Sequence, residues 1–151
     1  MPTFPLTIFY DASCPLCASE MHALKARDSE ERLRLVDCSA ASFDDGGFAA
    51  EGITRAAMLA RIHARDAHGR WLQGVEVFVE AYRAAGFERV ARTLAHPRVR
   101  PWFDRLYPWI ARNRYTLSRL GWFRLFDRLA RGAPTATPCR GSCAATRSTD
   151  L

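Results

Sequence analysis

Two cysteines separated by two residues, Cys14-Pro15-Leu16-Cys17, are the part of this sequence best suited to chemistry. Cysteines three apart in the first turn of a helix can close a small disulfide with little backbone movement. The first of them sits at the positive end of the helix dipole. Unpaired N–H groups there favour the thiolate and bring a cysteine pKa from about 8.5 to somewhere near 3.5–7.5. Thiolate is the species that attacks in thiol–disulfide exchange. Cys14 is therefore expected to attack, and Cys17, one turn further in, to resolve the mixed disulfide. Asp11 precedes Cys14 by three residues and has two candidate roles: capping the helix, or accepting a proton released by a thiol. Its charge would also raise a neighbouring thiol's pKa by repelling the thiolate. Ser13 competes with it for the cap.

The pair depends on the elements around it. Leu6-Thr7-Ile8-Phe9-Tyr10 is β-branched and aromatic and reads as a buried strand ending at Asp11-Ala12-Ser13. A helix is expected to open near Cys14, with Pro15 where a missing N–H is tolerated. Cys17, Met21 and Leu24 recur at helical spacing toward the core. Leu33-Arg34-Leu35-Val36-Asp37 reads as a second strand, so the first 37 residues form a βαβ unit. Residues 39–52 are a loop by composition, and a short helix is expected near 53–58. Ala60-Arg61-Ile62-His63-Ala64-Arg65 alternates, Asp66-Ala67-His68-Gly69 is turn chemistry and Arg70-Trp71-Leu72 resumes, which predicts a hairpin. After Gly74, the spacing of Val75, Phe78, Val79 and Tyr82 predicts a helix.

The last third differs. Trp102, Phe103, Leu106, Trp109 and Ile110 are expected on one helical face, with arginines elsewhere. Leu117, Leu120, Phe123, Leu125, Phe126 and Leu129 continue the pattern past Gly121. From Gly132 the chain is small, polar and Pro-containing, and reads as a flexible tail holding Cys139-Arg140-Gly141-Ser142-Cys143.

With 151 residues, the chain fits one domain with an appendage and can bury a core without disulfide scaffolding. Hydrophobic residues at 48% and charged residues at 25% exclude wholesale disorder, collagen and coiled coil. The net charge of +6 is unevenly spread. Residues 1–96 carry 11 Lys and Arg against 13 Asp and Glu; residues 97–151 carry 11 against 3, every basic residue being Arg. No run approaches the roughly 18 apolar residues of a membrane span, and Met1-Pro2-Thr3-Phe4-Pro5 does not read as a signal peptide. Five cysteines make a poor disulfide framework, so a cytoplasmic location with reduced thiols is expected.

Phe9-Tyr10-Asp11-Ala12-Ser13-Cys14-Pro15-Leu16-Cys17 resembles the DxxCxxC signature of the DCC (DUF393) family of thiol–disulfide oxidoreductases. The hairpin leading into Gly74-Val75-Glu76-Val77-Phe78 is similar to that family too, as is Leu106-Tyr107-Pro108-Trp109-Ile110-Ala111-Arg112-Asn113-Arg114-Tyr115. The resemblance runs from residue 6 to about 120. It implies an α/β fold, a thioredoxin-like sheet with flanking helices and a helical C-terminal extension, and an activity of the protein-disulfide reductase type. The expected organisation is a redox domain over 1–96, a basic aromatic helical extension over 97–131 and the tail over 132–151. Thioredoxins place a cis-proline beside the CxxC before the hairpin; the matching place here, near Ala57-Met58-Leu59, has none.

No organic cofactor is implied, because the cysteines carry the electrons. The competing class is a zinc-stabilised binding module that docks a partner or a membrane through its Arg/Trp-rich helix. Structural zinc needs four ligands, which Cys14 and Cys17 supply only if Cys139 and Cys143 join them. Those two thiols could instead shuttle electrons to the motif. Cys38 is expected to be a small buried residue, and His22 a surface histidine. His63, His68 and His96 lack ligand spacing. The stretch 98–131 is expected to pack on the domain first and to touch a membrane surface or partner second. Nucleic-acid binding is not expected, since no recognition motif accompanies the charge.

Overall fold

The computed structural model describes residues 2–119. β1 (Leu6–Tyr10) leads into α1 (Pro15–Lys25), which returns the chain to β2 (Leu33–Asp37). β2 lies parallel to β1, with Leu6 opposite Leu33 and Tyr10 opposite Asp37. α2 (Arg55–Ala60) follows a long loop and a turn of 3₁₀ helix, and then come β3 (His63–Arg65) and β4 (Trp71–Gln73). The sheet order is β2-β1-β3-β4, with β3 antiparallel to both its neighbours. α3 (Val75–Ala84), α4 (Glu88–Ala95) and α5 (Arg100–Arg119) complete the described chain.

β1 is apolar almost throughout because both its faces are covered. Leu6, Ile8 and Tyr10 point into a core shared with Met21 and Leu24 of α1 and Val77 of α3. Phe9 points the other way, into a second core with Cys38 and Met58, its ring 5.4 Å from the rings of Phe48 and Trp71. The hairpin turn is held by Asp66, whose Oδ1 accepts the N–H groups of His68 and Arg70 at 3.0 and 2.9 Å. Gly69 supplies the left-handed backbone there, at φ +83°. α2 is capped by Thr54, whose hydroxyl accepts the Ala57 N–H. Ala60 belongs to this helix, so the first hairpin strand is shorter than the alternation of 60–65 suggests.

α5 packs its Phe103 and Tyr107 onto Val75, Val79 and Ala91 of α3 and α4. Here the structure corrects the expected grouping. Trp102, Leu106 and Trp109 are 73%, 47% and 54% exposed, while Phe103 and Ile110 are partly buried. The five side chains therefore divide between two faces, and the buried one continues through Tyr107, Arg114, Leu117 and Ser118. The parallel βαβ unit joined to an antiparallel hairpin, with helices on both sides, is a thioredoxin-like α/β fold.

Candidate active site at the start of α1

The chain turns sharply between β1 and α1, and neighbouring groups hold the turn. Asp37 at the end of β2 accepts the Ala12 N–H at 3.1 Å and the Ser39 N–H at 2.8 Å. The Cys38 N–H donates to the Tyr10 carbonyl at 2.8 Å. Cys14 takes the cap position of α1, with φ −90° and ψ 111°, and its carbonyl accepts the first helical bond from the Ala18 N–H at 2.9 Å. Pro15 follows at the first helical position. Cys14 is fully buried, Cys17 is half-buried, and all three described cysteines are free.

Neither Asp11 nor Ser13 caps α1, contrary to the expectation. Asp11 Oδ1 accepts the Ser13 N–H at 3.1 Å and the Ser13 hydroxyl at 2.5 Å. Its Oδ2 accepts from Arg114 Nη2 at 2.7 Å and the Tyr115 hydroxyl at 2.5 Å. A hundred residues of chain separate these partners, so the contact ties α5 to the motif turn. The ion pair is sheltered, the Asp11 and Arg114 side chains being 4% and 13% exposed. Burial alone would push the Asp11 carboxyl up. The Ser13 and Tyr115 hydroxyls and the Arg114 guanidinium outweigh it and hold Asp11 below the usual carboxylate range. A carboxylate so held is a poor proton acceptor at neutral pH; here it orients Arg114.

Ser118 is the second contribution of α5. Its Oγ accepts the Leu16 N–H at 3.2 Å, satisfying a first-turn donor that α1 itself leaves unpaired. The same oxygen stands 4.0 Å from Cys14 Sγ, so the hydroxyl hydrogen is free to turn toward sulfur. The Cys14 thiol is pulled down to about 6. The Cys17 thiol contributes most; burial opposes it; the Cys17 backbone N–H, the Ser118 hydroxyl and the Arg114 charge complete the shift. Cys17 moves the opposite way. Its hydrogen bond to Cys14, its own burial and the negative charges of Cys14 and Asp11 all keep it protonated. One sulfur is thus prepared as a thiolate and its neighbour as a thiol.

The structure gathers Cys14, Cys17 and Asp11 at one place and adds Arg114, Tyr115 and Ser118, which reading the residues singly did not find. Their spacing within α5 was the available signal, since positions 114 and 118 share a helical face. Cys38 is buried against Met58, with 3.6 Å between sulfurs, and burial first, then Asp37, pushes its thiol up to about 12. His22 is exposed and bonds the Tyr10 hydroxyl at 3.1 Å rather than either motif cysteine. The stretch Ala57-Met58-Leu59 lies within α2, and the residues entering β3 are Arg61 and Ile62. Among the described residues, no three His, Cys, Asp or Glu are grouped to hold a metal ion. None of the described helices is long and apolar enough to cross a membrane. Cys139, Cys143 and the rest of 120–151 lie outside the described residues.

A thioredoxin-like sheet with a dithiol opening its first helix defines a class of thiol–disulfide proteins. The sequence pattern of the DCC1-like thiol-disulfide oxidoreductase family matches residues 8–120, and the chain belongs to that family. It is also similar to an uncharacterized chloroplastic protein of Arabidopsis thaliana, 28% identical over 82 residues. That alignment covers 54% of this chain and 37% of the relative, so the match spans little more than a third of the Arabidopsis protein. No solved structure matches.

Proposed function

We propose that this protein is an enzyme of dithiol–disulfide exchange, of the protein-disulfide reductase type, in which Cys14 and Cys17 carry the electrons. The observation that carries this reading is the geometry of the pair: Cys14 at the cap of α1 and Cys17 within its first turn, with Ser118 Oγ 4.0 Å from Cys14 Sγ; the lowered Cys14 thiol beside a protonated Cys17 supports it. Cys14 thiolate attacks one sulfur of a substrate disulfide, and the other sulfur leaves as a thiolate. Cys17 then gives up its proton and displaces the substrate from Cys14, closing the Cys14–Cys17 disulfide. Asp11 is a positioning residue in this scheme, acting through Arg114 and Tyr115. With Ser118 seated, Cys14 has no exposed surface, so attack follows a displacement of the last turns of α5. On cysteine usage we place the reduced pair in a reducing compartment, the cytoplasm being the expected one.

Replacing Cys17 with Ser removes the resolving thiol and leaves substrates attached. With the Cys17→Ser chain, oxidised glutathione is expected to accumulate as a mixed disulfide on Cys14, located by peptide mass mapping. Attachment at Cys38 or at the tail cysteines, with none at Cys14, would remove the reading.

A further inference from the structure

The two halves of α5 are held by different means. The first half lies on α3 and α4, where Phe103 and Tyr107 pack against Val75, Val79 and Ala91. The Tyr107 hydroxyl also accepts the Ile62 N–H at 2.9 Å. The second half is tied to the redox turn mainly by polar bonds. Arg114 and Tyr115 donate to Asp11 at 2.7 and 2.5 Å, and Ser118 Oγ accepts the Leu16 N–H at 3.2 Å. The buried residues of this half are Leu117 and Ser118. Between the halves, inside the helix, stands Pro108. Proline has no N–H, so the Asp104 carbonyl loses its helical donor, and the ring crowds that carbonyl. Helices bend at such breaks. The helical ladder is therefore weakest where apolar anchorage gives way to polar anchorage.

The second half also covers Cys14, which has no exposed surface and whose Sγ lies 4.0 Å from Ser118 Oγ. Ser118 brings a hydroxyl hydrogen to this place and Arg114 a positive charge. Both favour a thiolate, because hydrogen bonds and contacts to an ionised acceptor are the strong ones. A disulfide is uncharged and gains little from either. Asp11 keeps its charge in both redox states, so its ion pair with Arg114 holds part of the contact throughout. The part that depends on the sulfur charge is lost on oxidation.

We propose that residues 109–119 form a strap, hinged at Pro108, that closes over the reduced Cys14–Cys17 pair and loosens when the pair is oxidised. The proposal rests on the redox reading of the pair and adds its conformational control. With glutathione disulfide as oxidant the balance is simple. Cys14 thiolate attacks and releases one glutathione thiolate, which takes up the Cys17 proton. Cys17, now a thiolate, closes the S–S bond and releases the second glutathione as a thiolate. The negative charge has left the site with it, and Ser118 and Arg114 have lost what they favoured. Such coupling is reciprocal. A strap that closes better on the thiolate favours the reduced pair by the same factor. The closed strap thus shields the reduced pair, which reacts through its minor open form, and the loosened strap leaves the disulfide open to an incoming thiol.

Amide hydrogen exchange of the full chain, reduced and after oxidation by glutathione disulfide, reads the strap directly. Peptide mass mapping first establishes the Cys14–Cys17 disulfide. Amides of residues 113–118 are expected to exchange about fivefold faster or more in the oxidised chain, while those of 104–107 keep their rates. Equal rates at 113–118 in the two forms overturn the proposal. So does equal acceleration in both halves, which would mean general loosening without a hinge. Pro108→Ala, which restores the missing N–H, is the second test. It is expected to slow alkylation of Cys14 by iodoacetamide severalfold, with the pH at which the thiolate absorbance appears unchanged. A merely structural disturbance would speed alkylation instead, so a rate at Cys14 equal to or above that of the wild type refutes the hinge. A Cys14–Cys17 disulfide that forms without any change at 113–118 refutes the strap and spares the exchange reading. If glutathione disulfide closes no Cys14–Cys17 bond, both readings fall.

Discussion

Cys14 and Cys38 follow the ends of adjacent parallel strands, and neither has exposed surface. Their thiols are nevertheless driven apart, to about 6 and about 12. Burial disfavours the thiolate at both. At Cys38 the nearest partner is the thioether of Met58, and Asp37 adds a repelling charge. At Cys14 a thiol, a backbone N–H, a hydroxyl and a guanidinium all favour the anion. Each thiol has a cation nearby, Arg55 at Cys38 and Arg114 at Cys14, so oriented donors rather than charge or exposure set the two apart.

The contrast breaks most simply by deletion. Cys14→Ser is expected to reduce exchange with oxidised glutathione to background, while Cys38→Ala keeps most of it. Equal losses in the two variants would mean that the cysteines do not differ as described.

Arg114→Met tests the cation. It leaves the Asp11 carboxylate buried without its charge partner, and urea denaturation is expected to show a loss of about 3 kcal/mol. The ultraviolet absorbance of the Cys14 thiolate should then appear at higher pH than in the wild type. Cys14 itself also links stability to pH. Its folded value lies below its ordinary value of 9.0, so the stabilisation is present above the ordinary value and is lost as pH falls toward 6. The advantage of the wild type over Cys14→Ser in urea should therefore widen on going from pH 6 to pH 9.

Ser118→Ala tests the hydroxyl. A loss of about 1 kcal/mol is expected for the bond to the Leu16 N–H, with an upward move of the Cys14 thiolate at least as large as Arg114→Met gives. The smallest effect concerns the outer face of α5, where Trp102, Leu106 and Trp109 stand exposed beside Arg105 and Arg112. We expect weak co-flotation with anionic vesicles at low salt, lost when Trp102 and Trp109 are both replaced by Ala. Flotation that survives both replacements would detach membrane contact from this face.

The βαβ unit, the hairpin and α3 were legible because each announces itself within about ten residues: an apolar run, an alternation with a Gly turn, or an i, i+3, i+4 pattern. The motif was legible because Cys14 and Cys17 are close in sequence. Arg114 and Ser118 were not. Their roles depend on how α5 is rotated against α1, and local pattern does not encode that rotation. Grouping α5 by size and apolarity drew Trp102 and Trp109 inward. The buried face lies roughly a quarter turn further round and includes an arginine, a polar residue that helical periodicity reads as solvent-facing. Tyr115 beside it and Asp11, a hundred residues earlier in the sequence, offset its burial.

The route from Cys14 to Ser118 also sets an order in time. Translation delivers the CxxC early and the helix that activates it about a hundred residues later, at the ribosome's pace. A nascent chain that ends before Asn113 has both cysteines and lacks the guanidinium and the hydroxyl that prepare them. Its thiols are then closer to those of an ordinary peptide. Synthesis thus leaves the last part of the Cys14 shift, from Ser118 and Arg114, until the domain is nearly finished.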